Sequence, residues 1–560
     1  MASFRKGISG GNTSPGPSTL YIPIASPPTP APSPGPFTHN HDHNNLSVDM
    51  THFPLVKGVQ KFAYDPTHDF SSLDEQARLE YLNKIIAQCT LKELSYISTI
   101  VNPLLKRDFL RELPVELALH ILSYIDDLYE LVGNVAGVCK HWRRLSNDNW
   151  LWKRMCQRWG FEVPLHLEAS EDVAVPGSAK RHFKILYLQR MRWLHGGTPL
   201  RNHRLPISQP DMGVVTSLAM DKDWIVAGLA DTKIHVFSCR TGVLSRTLVG
   251  CQGGVWAVWL IEKGSWSSPS PRKKNTNSGS AGWGQKTSLV VSGGCDKVVR
   301  VWDVETGRCI HTLEGHRATI RCVSVLDHRP IAVSGSRDST LRVWDIDSGQ
   351  LLRVLEGHQS SVRCMDAHGS IVVSGSYDNT CRVWDIDTGL CLHVLRGHLN
   401  QIYCVSYDGI RIASGGLDTH VRIWDPVSGA CLALLQGHTA LVCQIQLSPT
   451  ILATGGSDGR VITFSLETYS ILQRIAAHDS SVTTLQFDEN FLVTGGNDGR
   501  VRLFETKTGK YFRDLTEPAE SVWKVGYAGN VCAIMCKRAR KTVMEVWSYD
   551  PPEVELEKVW

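Results

Sequence analysis

His358, Ser374 and Asp378 are the residue types that nucleophilic acyl transfer needs: a hydroxyl, a base to take its proton, and a carboxylate to orient that base. The same trio returns as His398, Ser414 and Asp418, and again as His438, Thr454 and Asp458. An enzyme has no use for a nucleophile in every repeat. The trio therefore reads as scaffold, a buried hydrogen-bond network shared with a Trp or Phe that follows each Asp at a fixed distance.

The residues that break the repeat carry more information. One variable position follows the branched apolar residue that opens each unit's first strand. It holds Trp256, Arg321, Arg363, Tyr403, Cys443, Thr483 and Trp523. A second, just before the repeat Asp, holds Cys295, Arg337, Tyr377, Leu417, Ser457 and Asn497. Both flank turns at the same end of the units. Three guanidiniums converging there, from Arg321, Arg337 and Arg363, repel one another and lose hydration unless an anion joins them. Phosphate, with about −1.5 to −2 charges and several acceptor oxygens, matches the forked geometry of arginine. Tyr377 and Tyr403 would add hydroxyl donors and ring faces, and Trp256 and Trp523 apolar walls for residues beside the phosphate. The competing reading is ordinary: solvated arginines, or local ion pairs with Asp338 and Asp366.

The elements that must position these residues follow from the period. Asp296/Trp302, Asp338/Trp344, Asp378/Trp384, Asp418/Trp424, Asp458/Phe464 and Asp498/Phe504 are separated, Asp to Asp, by 42, 40, 40, 40 and 40 residues. Asp231/Phe237 precedes them by a step of 65, and Trp547 closes a degenerate last unit, giving eight. Each unit has four short alternating runs between turn residues, hence four strands, and radial stacking of such sheets is an all-β eight-bladed propeller over 205–550. The last unit shows three runs, so the segment near Leu205 to Ser208 is expected to supply its fourth strand and latch the ring. The long step contains 262–287, read as a disordered loop within one blade.

Residues 1–55 are rich in Pro, Ser and His with few large apolar residues, and read as a disordered arm. Over 72–107, Leu79, Leu82, Ile85 and Ile86, then Leu91, Leu94, Ile97 and Ile100, mark two amphipathic helices whose stripes need a partner. A helical bundle follows over 108–156, then a helical linker over 157–200 broken by Gly196, Gly197 and Pro199. The net charge of +4 is too mild to argue for nucleic acid or a membrane surface, and no apolar run reaches the roughly eighteen residues of a membrane span. The sixteen Cys lack a CxxC pair and read as reduced thiols, so the chain is expected in nucleus and cytoplasm. No residue reads as a metal ligand or catalyst, and no cofactor is implied.

LPVELALHILSYI and VCKHWRRLSNDNWLWKRMC, between Phe109 and Cys156, resemble an F-box, and the array resembles WD repeats. With TIRC, GSRDSTLRVWD, SVRC and GSYD in consecutive units, the chain resembles the cell-division-control class of F-box/WD-repeat proteins, the substrate receptors of SCF ubiquitin ligases. The resemblance implies that Arg321, Arg337 and Arg363 clamp the phosphothreonine of a phosphodegron in cell-cycle or transcription regulators, that Tyr377 and Tyr403 line the site, and that Trp256 and Thr319 contact flanking residues. The class has Thr where this chain has Cys295. It further implies that the F-box docks the SCF adaptor, and through it the cullin scaffold, with Leu113, Pro114, Leu117, Ile121, Leu122 and Trp142 as the contact residues, and that the helices at 72–107 form a homodimer. The other reading of the whole chain is a non-degradative scaffold that assembles phosphoproteins. Thr29-Pro30 and Ser33 in the arm resemble a phosphodegron, and Ser270 to Lys274 a kinase site with a basic run.

Overall fold

The computed structural model describes residues 70, 73–105, 108–125, 127, 128, 130–164, 178–205, 213–264, 279–553 and 556. The arm at 1–55, its Thr29/Ser33 string and the Ser270 to Lys274 run lie outside the described residues. The chain divides into two units, 1–106 and 107–560.

In the first unit, helices span Glu75–Gln88 and Leu91–Leu105. Asp74 caps the first by accepting from Ala77 N at 2.7 Å, and Thr90 with Glu93 forms a reciprocal capping box on the second, Thr90 N donating to Glu93 Oε2 at 2.7 Å. Leu79, Leu82, Ile85, Ile86, Leu91 and Ile100 are exposed.

The second unit opens with short helices at Phe109–Glu112, Val115–Leu122, Lys140–Ser146 and Asn149–Trp159, with a π-helical turn at Glu130–Val135. Their shared core holds Leu110, Ala118, Leu119, Leu122, Leu131, Leu151, Trp152 and Met155. A helix over Ser178–His195 joins this bundle to the ring and is anchored at both ends. Phe183 lies in the bundle core against Trp152, whereas Trp193 stacks on Tyr549 at 3.8 Å and packs with Phe491 and Tyr527 of the ring. Gln189 Nε2 donates to Asp550 Oδ1 at 3.0 Å, and Lys184 Nζ to Leu556 O at 3.0 Å.

Eight four-stranded antiparallel sheets close the ring. Seven are consecutive in sequence, blades 1 to 7, with strands within 215–248, 255–313, 320–355, 362–396, 402–435, 442–476 and 482–514, and the last sheet is blade 8. The eighth pairs Thr198–Arg204 with Lys541–Ser548, ahead of Val531–Arg538 and the innermost Ser521–Ala528. The latch strand thus comes from 198–204 rather than from Leu205 to Ser208, and the helical linker ends at His195 rather than at 200. TPLRNHR is polar and carries a proline, which hid it as a strand. On an outer edge that proline's missing N–H removes no ladder bond, and the register slips between Pro199 and Arg201. The insertion over 262–287 is also corrected in part, because 279–287 is built onto blade 2. Ser280 bridges Ile261 and takes the Trp259 indole N–H on its hydroxyl at 2.8 Å, and Gly264 N donates to Gln285 O at 3.0 Å.

Blades 3 to 7 share one polar network. In blade 4, His358 contacts Asp378 at 2.7 Å through Nδ1 and Ser374 Oγ at 2.8 Å through Nε2, and Trp384 Nε1 donates to the same Oγ at 2.8 Å. A carboxylate only accepts, so the imidazole carries its hydrogen on Nδ1, toward Asp378; its bare Nε2 takes the Ser374 proton, and the indole N–H donates to the same Oγ. Blades 3 and 5 repeat this with His316/Ser334/Trp344 and His398/Ser414/Trp424; blades 6 and 7 keep only the His–Asp and His–hydroxyl contacts, through Thr454 and Thr494, with Phe464 and Phe504 in place of the Trp, and His478 follows Ala rather than Gly. Burial alone would raise Asp378, but the His358 and Thr380 hydrogen bonds outweigh it and hold the carboxyl well below the usual range.

Asp378→Ala would strip the acceptor from His358 and from Gln359 N, which donates to it at 2.9 Å. The expected loss is about 1–3 kcal/mol in urea unfolding. An unchanged midpoint would show that the network does not hold the blade.

Candidate functional site

The two variable positions are set by backbone geometry that recurs in every blade. Each inner strand carries one β-bulge at the same repeat position, and the unpaired residue is Thr216, Trp256, Arg321, Arg363, Tyr403, Cys443, Thr483 or Trp523. A bulge re-aims its side chain out of the ladder, and Thr216, Trp256, Arg321 and Arg363 of these eight line one cavity. The second position is tied beside it: Arg337 N donates to Thr319 O at 2.9 Å, and Tyr377 N to Ser361 O at 3.0 Å. The repeat Asp that follows is pinned by its histidine, so both loops are fixed.

Arg321, Arg337 and Tyr377 line one open cavity of about 470 Å³ with Ser339, Gln359 and Ser360. Arg321 is shared with a second, channel-side cavity of about 280 Å³, lined also by Trp256, Arg363 and Lys524. The Arg321 guanidinium stands 4.4 Å above the Trp256 ring, whose Nε1 donates to Cys295 Sγ at 3.0 Å. Arg363 stands 5.8 Å from Tyr403, and Tyr403 meets Tyr377 with ring centroids 5.3 Å apart. Burial, then the charge of Arg363 and of Arg337, holds Arg321 below its ordinary guanidinium value, whereas burial and then Tyr377 raise Tyr403.

The ion pairs weighed as an alternative do not form. Asp338 is committed to His316 Nδ1 at 2.8 Å, Arg317 N at 2.8 Å and Thr340, and Asp366 accepts from Tyr407 N at 2.8 Å. Among the described residues no carboxylate lies within 4 Å of Arg321, Arg337 or Arg363. Ring faces, not acids, hold Arg321 and Arg363.

Two residues singled out from the sequence stand apart. Thr319 contributes its carbonyl, and Trp523 packs against the blade 8 to blade 1 core without lining either cavity. Ser339, Gln359, Ser360 and Lys524 were missed. For Lys524 a signal existed, since its repeat position holds Ser217, Ala257, Cys322, Cys364, Cys404, Gln444 and Thr484 in the other blades, all uncharged.

On the helical bundle, Leu117 and Ile121 are 51% and 41% exposed and Pro114 is exposed beside them. Leu113 is half-buried, and so is Trp142, whose Nε1 donates to Asp108 Oδ1 at 2.7 Å. Leu122 must be removed from this face. It is 2% exposed and sits in the core with Ala118 and Leu119, because at four and three residues from them it shares their face of the helix. Phe109, Val115, Tyr124 and Val138 are exposed in the bundle too.

The chain matches the F-box-like family model over 110–158 and the WD domain, G-beta repeat model over 242–303, 307–345, 349–385, 389–425 and 469–505. It is similar to Cell division control protein 4 of Saccharomyces cerevisiae, 27% identical over 265 residues, covering 45% of this chain and 30% of that protein. It is similar also to Probable E3 ubiquitin ligase complex SCF subunit sconB of Arthroderma otae, 29% identical over 210 residues, covering 32% and 30%. The chain spans about a third of the length of the first curated relatives it matches. Among solved structures the computationally designed Ika8 protein aligns with TM-score 0.51 at 32% identity, covering 60% of this chain and 96% of that one. With an F-box-like bundle joined by one helix to a closed ring of WD repeats, the chain belongs to the F-box/WD-repeat proteins.

Proposed function

We propose that this chain is the substrate receptor of an SCF-type ubiquitin ligase, binding phosphorylated Thr-Pro degrons at the ring's mouth and the ligase adaptor at its F-box face. The observation that carries the reading is the gathering of Arg321, Arg337 and Arg363 at one mouth with no carboxylate partner among the described residues. Arg321 and Arg363, held by ring faces, keep their N–H groups free for an incoming dianion together with Arg337, and Tyr377 and Tyr403 offer hydroxyls beside them. The relatives named as Cell division control protein 4 and as an SCF subunit support the same reading. Cell-cycle and transcription regulators are the substrate class we infer, with the chain itself contributing recruitment and no chemistry.

The connecting helix gives recruitment its geometry. Eighteen residues of helix span about 27 Å, and with aromatic packing at both ends the adaptor face and the mouth keep a set separation. A substrate held at one end is then presented at raised effective concentration to whatever the other end holds. The exposed stripes of Glu75–Gln88 and Leu91–Leu105 are suited to pair with a second copy, completing a homodimer.

Titrating the full chain with a Leu-Pro-Thr-Pro peptide, phosphorylated and not, should show phosphate-dependent binding weakened by about 2–4 kcal/mol in Arg337→Ala. Equal affinity for the unmodified peptide would remove the receptor reading. Leu117→Asp with Ile121→Asp should abolish adaptor capture while leaving the thermal melt within a degree or two, because both side chains are exposed; capture by that variant would favour the non-degradative scaffold. Sedimentation should show a dimer that becomes a monomer with Leu82→Asp and Ile86→Asp, and a wild-type monomer would end the dimer proposal.

A further inference from the structure

Blade 1 departs from the repeat where it meets the latch strand. His235 stands four residues after Asp231, at the repeat position that holds Arg300, Arg342, Arg382, Arg422 and Arg502 in blades 2 to 5 and 7. It is 1% exposed, with Nδ1 3.0 Å from Thr247 Oγ1 and Nε2 buried without a hydrogen-bond partner among the described residues. A second imidazole reaches the same place from across the seam. His203 of the latch strand meets the Phe237 ring edge to face with centroids 5.6 Å apart, and His235 lies 6.2 Å from that ring. The two blades touch closely here, since a Cβ added at Gly242 of blade 1 would meet Arg201 Cβ at 3.0 Å.

The charges facing this pair are positive. On the latch strand Arg201 shares the face of His203, whereas Asn202 and Arg204 alternate to the other face with Glu545, whose carboxylate is taken by Arg538. In blade 1 the face of His235 carries Lys233 and is otherwise uncharged, and Arg246 pairs with Val236 on the reverse face. On blade 8 the nearest charge on the seam side is Lys537, matched by Glu520 at 3.8 Å. Among the described residues no carboxylate, Asp231 included, lies within 4 Å of either imidazole. Asp221 and Asp223 belong to the turn at the far end, against Cys239. A proton added to His235 would put an N–H on both ring nitrogens, and Nε2 has no acceptor to give it to.

We propose that the seam between the latch strand and blade 1 is a proton-sensitive clasp, which holds while His203 and His235 are neutral and lets go of 198–204 when they are charged. Burial, then Lys233 and His203, pushes His235 down to about 4, and burial, then Arg201, lowers His203, both from an ordinary value of 6.5 that an opened strand would restore. The opened form therefore binds more protons than the closed one below that ordinary value. Closure is complete above it and is lost as pH falls from 6.5 toward about 4, by about tenfold per pH unit for each histidine inside its window. The latch strand is the element such a charge would free first, because it is an outer strand held by one ladder. It begins three residues after the helix over Ser178–His195, so its release also loosens the ring end of that connector.

The test reads amide hydrogen exchange of the full chain at about pH 7.5 and about pH 5, corrected for the intrinsic pH dependence of exchange. Opening at 198–204 and 541–548 should rise about tenfold or more at the lower pH, while strands Ile412–Gly416 and Val421–Trp424 of blade 5 keep their protection. The rise should vanish in His203→Gln combined with His235→Gln, with a thermal melt confirming that the variant is folded. Should the double variant not fold, His203→Gln alone, on a half-buried outer position, should reduce the rise. The wild-type imidazole resonances give an independent reading, and both histidines should titrate below 6.5. His235 titrating at or above that value, equal opening at the two pH values, or a rise retained in the folded variants overturns the proposal. Loss of protection in every blade alike would show general acid unfolding and overturn it also.

Discussion

The contact between a buried histidine and the repeat aspartate holds the mouth together. In blade 3, Asp338 binds His316 Nδ1 and Arg317 N on one loop while accepting from Thr340 N at 3.0 Å on its own turn, so one carboxylate ties two loops. Arg337 is its immediate neighbour, and Arg321 follows the His316–Arg317 loop by a few residues. Low dielectric around the pair is what gives such a bond its strength. Blade 2 solves the same problem with Arg300 on Asp296, and in blade 1 one oxygen of Asp231 has no partner and burial raises that carboxyl. The intact version thus underlies blades 3 and 4, where the arginines sit.

That stiffness permits an arrangement a softer frame would relax away. Three guanidiniums at one spot repel, and on flexible loops they would drift toward carboxylates or water. Here bulges set Arg321 and Arg363, the Arg337 N to Thr319 O bond ties the third, Trp256 and Tyr403 take two of them on ring faces, and the nearby acids are already engaged. Cation–π contact neutralises part of the self-repulsion without consuming N–H donors. The mouth is preorganised for an anion because its own anions are unavailable.

The same logic extends to the other end of the second unit. The helix over Ser178–His195 has aromatic anchors in the bundle core and in the last blade, and the outer strand of that blade is supplied by the residues directly after the helix. Ring closure and connector placement are therefore one structural event. A bundle face with Leu117 and Ile121 exposed and a mouth with unpaired cations are held apart by a rod seated at both ends.

How much was legible in the sequence depended on whether the determining interaction was local or repeated. Eight units, four strands each, the scaffold role of His358, Ser374 and Asp378, and the two variable positions all follow from a period of about 40 residues, because a periodic pattern can be read without knowing where anything lies in space. The F-box helices were legible from apolar spacing, although Leu122 was assigned to the wrong face of its helix, an error that only the packed core exposes. What only the tertiary structure decided was non-local. The polar strand at 198–204 exists because Lys541–Ser548 needed a partner some 340 residues away, and Ser280 was fixed by a bridge to Ile261 and a bond to Val325 O. Lys524 belongs with Arg363 only because a ring of eight blades brings the last unit opposite the fourth. Periodicity determines what each blade is; closure of the ring decides which side chains meet, since charge, burial and hydrogen bonding act through distance in space and not along the chain.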